Sequence, residues 1–261
     1  MRKPETLLLS SKTNLRAKQL IAALDVSGPK RAYTLLSGEK LVKEWLESAP
    51  NEAQSRLSPV RWLRLEGQKT DPVERELELE TWELSEKLMA AISGSPSPPG
   101  IALVMELGAE PVGPIADLAI VPWGIQEPGN LGAMLRSAAA FGFQDALLGP
   151  GCADPFSPKA LRGSMGAAFA LRIRRFSVAH FSDGRWMALD SRRDATPISE
   201  ADLSPPLRLM AGNEGHGWQG SGLPAECARA SIPTIGVESL NAAVAVGIAC
   251  FEVARRGGVL N

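Results

Sequence analysis

The sequence predicts an α/β protein, with a small α/β domain followed by a larger one built on a mostly parallel sheet. Three observations carry this reading. Beyond residue 100, short apolar runs alternate with stretches of helical spacing, the pattern of parallel strands joined by crossover helices. Residues 93–100 read SGSPSPPG, a Ser/Pro/Gly cluster without periodicity, which is linker chemistry. Hydrophobic residues make up 44% of the 261, enough to fill one large core or two modest ones, so a wholly disordered chain is excluded. The expected domains are residues 1–95 and 96–261.

Ahead of the linker, Leu15 to Leu24 has helical spacing, and Gly38-Glu39-Lys40 opens a second helical run through Leu41, Val42, Trp45 and Leu46. Arg61 to Leu65 reads as a short strand. Pro72 to Ile92 reads as one helix, its acidic residues interleaved with Leu77, Leu79, Trp82, Leu84 and Leu88. After the linker, buried strands are predicted over Ile101–Leu107, Leu118–Val121, Asp145–Leu148, Phe169–Ile173, Trp186–Asp190 and Leu207–Ala211. Helices are predicted over Leu131–Phe141 and Ala242–Arg256.

The formal net charge of −1 argues against a chain that coats nucleic acid by charge alone. The charge is uneven, however. Residues 1–40 hold eight Lys/Arg against three Asp/Glu, and residues 41–90 hold seven against eleven. A basic leading segment suggests that one face of the first domain meets a polyanion. Cys152, Cys227 and Cys250 lie far apart, with neither a CxxC pair nor a Cys/His cluster, so no structural metal or disulfide framework is expected. The opening MRKPETLLL lacks a signal-peptide core, and Leu240 to Phe251 is far short of the ~20 apolar residues that cross a membrane. A cytoplasmic protein without a membrane partner is the expectation.

Parallel sheets bind ligands in the loops at the carboxyl ends of their strands, so chemistry is sought in the turns. The first turn, Gln126 to Arg136, stops a strand with Pro128-Gly129. It offers Asn130 as cap for the next helix and sets Arg136 beside small residues, where a guanidinium can grip a phosphate in two-pronged geometry. The second, Met210 to Gly217, is rich in glycines that admit a ligand close to the backbone, and Glu214 is its only carboxylate. It lacks the GxGxxG spacing of a dinucleotide site, which counts against a nucleotide-dependent oxidoreductase. The third, Ile232 to Asn241, precedes a helix of small residues; Ser239 is suited to cap it while Asn241 points its amide into the site.

Taken in order, NLGAMLR (130–136), GNEGHG (212–217) and IPTIGVESLNAAVAVGIA (232–249) resemble the three motifs of the SpoU/TrmH family of RNA 2′-O-ribose methyltransferases, in the SPOUT superfamily. SPKALRGSMGA (157–167) resembles that family's segment between its first two motifs. The resemblance spans roughly Ile101 to Arg256. It implies a sheet whose carboxyl-terminal segment is threaded as a trefoil knot, a homodimer, S-adenosylmethionine as cofactor, an RNA substrate and no metal. Carried over by position, Asn130, Arg136, Glu214, Ser239 and Asn241 form the catalytic set. Gly212, Ile232, Leu240 and Asn241 hold the cofactor.

Glu127 stands where the family commonly has Asp, Thr234 where Met is frequent, and Ala242-Ala243 where Val-Ser is frequent. The first domain resembles the small α/β RNA-binding module that precedes the catalytic domain in many rRNA-modifying members. The residues that carry this are Lys30-Arg31-Ala32-Tyr33 and the tract 35–42. It implies phosphate contacts from Arg16, Lys18, Lys30 and Arg31, and favours rRNA over tRNA. The rival is an RNA-binding protein that keeps the fold without catalysis, whose mark would be damage at Arg136, Glu214 or Asn241; the sequence shows none.

Overall fold

A computed structural model describes residues 6–48, 56–176, 184–192, 194–212 and 227–258. The chain divides into two compact units, residues 1–109 with 156–162, and residues 110–155 with 163–261.

The first unit contains β1 (Thr6–Leu9), α1 (Leu15–Asp25), β2 (Tyr33–Ser37), α2 (Glu39–Ser48), β3 (Leu57–Leu65), α3 (Pro72–Leu77), β4 (Thr81–Leu84), α4 (Glu86–Ser93) and β5 (Ile101–Leu107). Its five strands run in the order β1-β4-β3-β5-β2. The first three are parallel, and β5 is antiparallel to both neighbours. Asn14 caps α1 by accepting from the Arg16 N–H at 2.9 Å, and the helix buries Ala17, Leu20 and Leu24 against Leu35, Leu63, Trp82 and Val104.

Two expectations fail in this unit. The helix predicted over Pro72–Ile92 is broken by a left-handed residue, Glu78 at φ 49°, and continues as β4 before α4 begins. Thr81, Trp82 and Leu84 are buried in the sheet, so tertiary pairing overrides the helical spacing of the same leucines. The strand Ile101–Leu107 belongs to this sheet and not to the second domain, because it pairs with β2 and β3. The Ser/Pro/Gly segment therefore joins two elements of one unit, and the division falls after Ala109 instead of at residue 95. Residues 157–162 of the 157–167 tract also belong here, and just ahead of them the Thr34 hydroxyl donates to the Phe156 carbonyl.

The second unit contains β6 (Leu118–Pro122), α5 (Pro128–Ala140), β7 (Asp145–Leu148), α7 (Ala167–Ala170), β8 (Arg172–Arg175), β9 (Arg185–Leu189), β10 (Thr196–Pro197), β11 (Leu207–Ala211), β12 (Ala228–Ser231) and α8 (Ala242–Arg256); α6 (Pro158–Ser164) spans the division. The seven strands run β10-β12-β9-β11-β6-β7-β8, and every pairing is parallel. Continuous apolar burial, as in β11, where all five residues are buried, is what a strand enclosed on both faces requires. Phe169 falls in α7, so the strand predicted over Phe169–Ile173 starts later, at Arg172. The buried Asp145 carboxylate is satisfied: it accepts from Arg172 at 2.6 Å, Arg174 at 2.8 Å and the Ala116 N–H at 2.7 Å. Among the described residues no helix is long and apolar enough to cross a membrane, and no group of His, Cys, Asp or Glu is arranged to hold a metal.

Candidate active site

Because β12, β9 and β11 are adjacent and parallel, their carboxyl ends lie along one edge of the sheet. There the chain opens a cavity of about 310 Å³. Gly212 follows β11, Ile232 follows β12, and Asp190 follows β9; all three line it, with Glu238, Ser239 and Leu240 from the turn before α8. Thr234 folds that turn by donating to the Val237 carbonyl at 2.8 Å, across Gly236, whose φ of 81° suits only glycine at low cost. The expected cofactor residues Gly212, Ile232 and Leu240 and the expected catalytic residue Ser239 thus share one cavity. Glu214 lies outside the described residues, as does His216.

The helix caps differ from expectation. Glu127 caps α5, its carboxylate accepting from the Asn130 N–H, and Pro128 occupies the first turn. Asn130 is therefore the third residue of the helix, within its first turn, and its side chain is not the cap. At α8 the cap is Asn241 and not Ser239: its Oδ1 accepts from the Ala243 N–H at 2.9 Å and the Val244 N–H at 3.3 Å. An amide can accept at both of these donors and still present its NH₂ outward, which a serine hydroxyl does less well. That NH₂ reaches Asn130 Oδ1 at 3.4 Å.

The two helices run side by side in one direction. Asn130 meets Asn241, a Cβ on Gly247 would stand 3.2 Å from the Ser137 hydroxyl, and the Phe141 and Phe251 rings meet edge to face at 5.7 Å. These pairs keep one register along both helices, so the small residues of α8 are explained by close approach of α5. Arg136 lies on α5 beyond Asn130, exposed, with no hydrogen bond or ion pair among the described residues.

Asp190 was missed by sequence reasoning, although its place at the carboxyl end of the predicted strand Trp186–Asp190 is the signal that could have found it. Burial pushes its carboxyl up, but the Arg192 N–H and the Arg229 and Arg192 guanidinium groups outweigh this and hold it below the ordinary range. Glu238, also unforeseen, lines the cavity as an exposed carboxylate. Of the expected RNA contacts in the first unit, Arg16, Lys18 and Lys30 are exposed. Arg31 is half-buried and spends hydrogen bonds on the Leu24 and Tyr33 carbonyls at 3.1 and 3.2 Å.

The profile described as the SpoU rRNA Methylase family matches residues 117–251, more than half of the chain. This chain belongs to the SpoU rRNA methylase family. It is 29% identical over 225 residues to the Bacillus subtilis 23S rRNA (guanosine(2553)-2'-O)-methyltransferase RlmP, across 84% of this chain and 87% of that protein. A crystal structure of an RNA 2'-O ribose methyltransferase matches 97% of this SpoU-family chain and all of its own, with a TM-score of 0.76 and 27% identity. The SpoU methyltransferase AviRb from Streptomyces viridochromogenes, solved in complex with AdoMet, matches 95% of this chain and 100% of its own with a TM-score of 0.78. At 23% identity that likeness is one of fold.

Proposed function

We propose that this SpoU-family chain methylates a ribose 2′-hydroxyl of RNA, ribosomal RNA before transfer RNA, with S-adenosylmethionine as methyl donor. The observation that carries the proposal is the Asn130–Asn241 contact next to a cavity at the carboxyl edge of a parallel sheet, with Arg136, unpaired among the described residues, farther along the same helix as Asn130.

The residues present fit the donor. The cavity is within the size range of small-molecule sites. Gly212 presents bare backbone, Ile232 and Leu240 give an apolar wall suited to adenine, and Asp190 and Glu238 offer acceptors for hydroxyl or ammonium groups. When bound, S-adenosylmethionine would supply an electrophilic methyl group to the ribose 2′-oxygen and leave as a neutral thioether, the hydroxyl proton passing to solvent. Arg136 stabilises the negative charge developing on that oxygen, the weakest point of the chemistry, since a ribose hydroxyl is a poor acid. Asn241, held by the backbone of α8, and Asn130, in contact with it, orient the ribose, and Ser239 closes the wall beside them. Glu214 joins this set by resemblance alone.

The knotted threading implied by the resemblance is part of the proposal, supported by the close packing of α8 on α5. So is a cytoplasmic homodimer. Val244, Ile248 and Phe251 recur at helical spacing on α8 with 52%, 39% and 45% of their surface exposed, an apolar stripe that a second copy would cover. Arg16, Lys18 and Lys30 in the first unit contact RNA phosphates.

Incubation of the full chain with methyl-labelled S-adenosylmethionine and rRNA tests the activity: label enters the RNA if the proposal holds, and stays with the small molecule if it fails. For the dimer, Ile248→Glu should convert the sedimenting species from dimer to monomer.

A further inference from the structure

We propose that the first unit holds a pocket for an unpaired RNA base, in which the Arg61 guanidinium is the stacking platform. This rests on the proposal that the chain binds RNA, and adds how the RNA is gripped away from the reacting ribose. Between α1 and the sheet lies a cavity of about 450 Å³, floored by Leu20, Val60 and Val104. An apolar floor with a polar rim suits a flat heterocycle.

Arg61 stands on β3 with its guanidinium carbon 4.1 Å from the centroid of the Trp82 ring. Its Nε and Nη2 donate to Glu80 Oε2 at 3.2 and 2.8 Å, and the Trp82 Nε1–H donates to the other oxygen at 2.9 Å. One carboxylate thus pins the indole and the guanidinium together. Burial raises the Glu80 carboxyl, but the Trp82 hydrogen bond and the Arg61 and Arg16 charges outweigh it, so the clamp stays ionised. Trp82 is 3% exposed and covered by Arg61, whereas Arg61 keeps 27% of its side chain open and lines the cavity.

A cluster that only stitched β3 to β4 would be redundant with their main-chain pairing, and would not leave a cavity beside it. The rim points the same way. Tyr33 and Gln19 line the cavity, and neither the Tyr33 hydroxyl nor the Gln19 amide has a hydrogen-bond partner among the described residues. Arg16 on the same rim reaches Glu80 at 3.4 Å yet keeps 58% of its side chain exposed, so its remaining N–H groups can meet the phosphate of the seated nucleotide. Guanidinium and aromatic planes stack unpaired bases, and single strands are where proteins read RNA sequence.

The test uses the full chain and fluorescent decamers of oligo(rA), oligo(rU), oligo(rC) and a duplex RNA of equal length, measured by anisotropy at several salt concentrations. The wild-type protein should bind at least one single strand more tightly than the duplex. Arg61→Lys keeps the charge and removes the plane, so affinity for that single strand should fall roughly tenfold. The salt dependence, set by phosphate contacts, should stay unchanged. Tyr33→Phe and Gln19→Ala, which leave the Arg61–Glu80–Trp82 clamp intact, should each weaken binding several-fold and shift the preference among bases. Ultraviolet cross-linking should attach nucleotide to the peptide containing Tyr33. Wild-type affinity in Arg61→Lys, Tyr33→Phe and Gln19→Ala, with RNA binding and methyl transfer intact, would overturn the pocket alone. A wild-type chain that bound no RNA would overturn the parent proposal with it.

Discussion

One arginine from each unit shows two opposite uses of the same side chain. In the first, Arg64 is buried and fully engaged: it donates to Glu74 at 2.8 Å, to Thr70 at 3.0 Å and to Glu83, tying β3 to α3 and β4. In the second, Arg136 is exposed on α5 without a partner among the described residues. A guanidinium buried among the protein's own carboxylates has nothing left to offer a substrate, while an exposed one without a partner among the described residues can meet charge as it develops. On the proposed function, Arg64 maintains the fold and Arg136 serves the chemistry. Both kinds are Arg, and only their surroundings tell them apart.

That separation yields crossed expectations. Arg136→Ala should reduce the rate of methyl transfer by about 10²–10³-fold, the usual loss for one donor to a developing oxyanion. Melting temperature and cofactor affinity should stay at wild-type values. Glu74→Ala should do the reverse. Removing one partner from a buried pair costs about 3 kcal/mol, read as a lowered denaturation midpoint, with the specific activity of the folded fraction preserved. If Arg136→Ala proves destabilising, or Glu74→Ala inactivates folded enzyme, the comparison breaks.

Asn241→Ala belongs to both classes, since this residue caps α8 and contacts Asn130. Loss of the cap should cost about 1 kcal/mol in chemical denaturation, and turnover should fall as well. The smallest effect is expected at Glu252, whose carboxyl is drawn down to about 2 by the hydrogen bonds and charges of Arg255 and Arg256. A folded-state value below the unfolded value of about 4.3 means the pair stabilises at neutral pH and loses that contribution as pH falls. Glu252→Gln should lower the melting temperature slightly at pH 7, and the gap to wild type should close between about pH 4.5 and 2.

Much of the second unit was legible because its strands are enclosed on both faces. Asp145–Leu148, Leu207–Ala211 and the helix Ala242–Arg256 carry the predicted bounds. A run of buried apolar residues announces itself without reference to partners. Pairing is another matter. Ile101–Leu107 was readable as a strand but not as the antiparallel neighbour of β2 and β3, because periodicity says nothing about the partner. Residues 72–92 misled because Leu77, Leu84 and Leu88 satisfy a helical spacing that the sheet overrode at Thr81–Leu84.

At the site, the turns were found by their Gly, Asn and Ser content, yet which residue caps was not. Glu127 reaches the Asn130 N–H, and Asn241 takes the role expected of Ser239, because capping depends on where the helix actually begins. The Arg61–Glu80–Trp82 cluster was invisible for a simpler reason: β3 and β4 bring together residues 19 apart in the chain.

The most direct test of the central claim is the position of the transferred methyl group. Wild-type protein, labelled S-adenosylmethionine and rRNA are combined, and the product RNA is hydrolysed in alkali. A 2′-O-methyl ribose blocks cleavage of its own 3′ linkage, so the account predicts that all label is recovered in one alkali-resistant dinucleotide. Label recovered on a mononucleotide base, or none in the RNA, would contradict it.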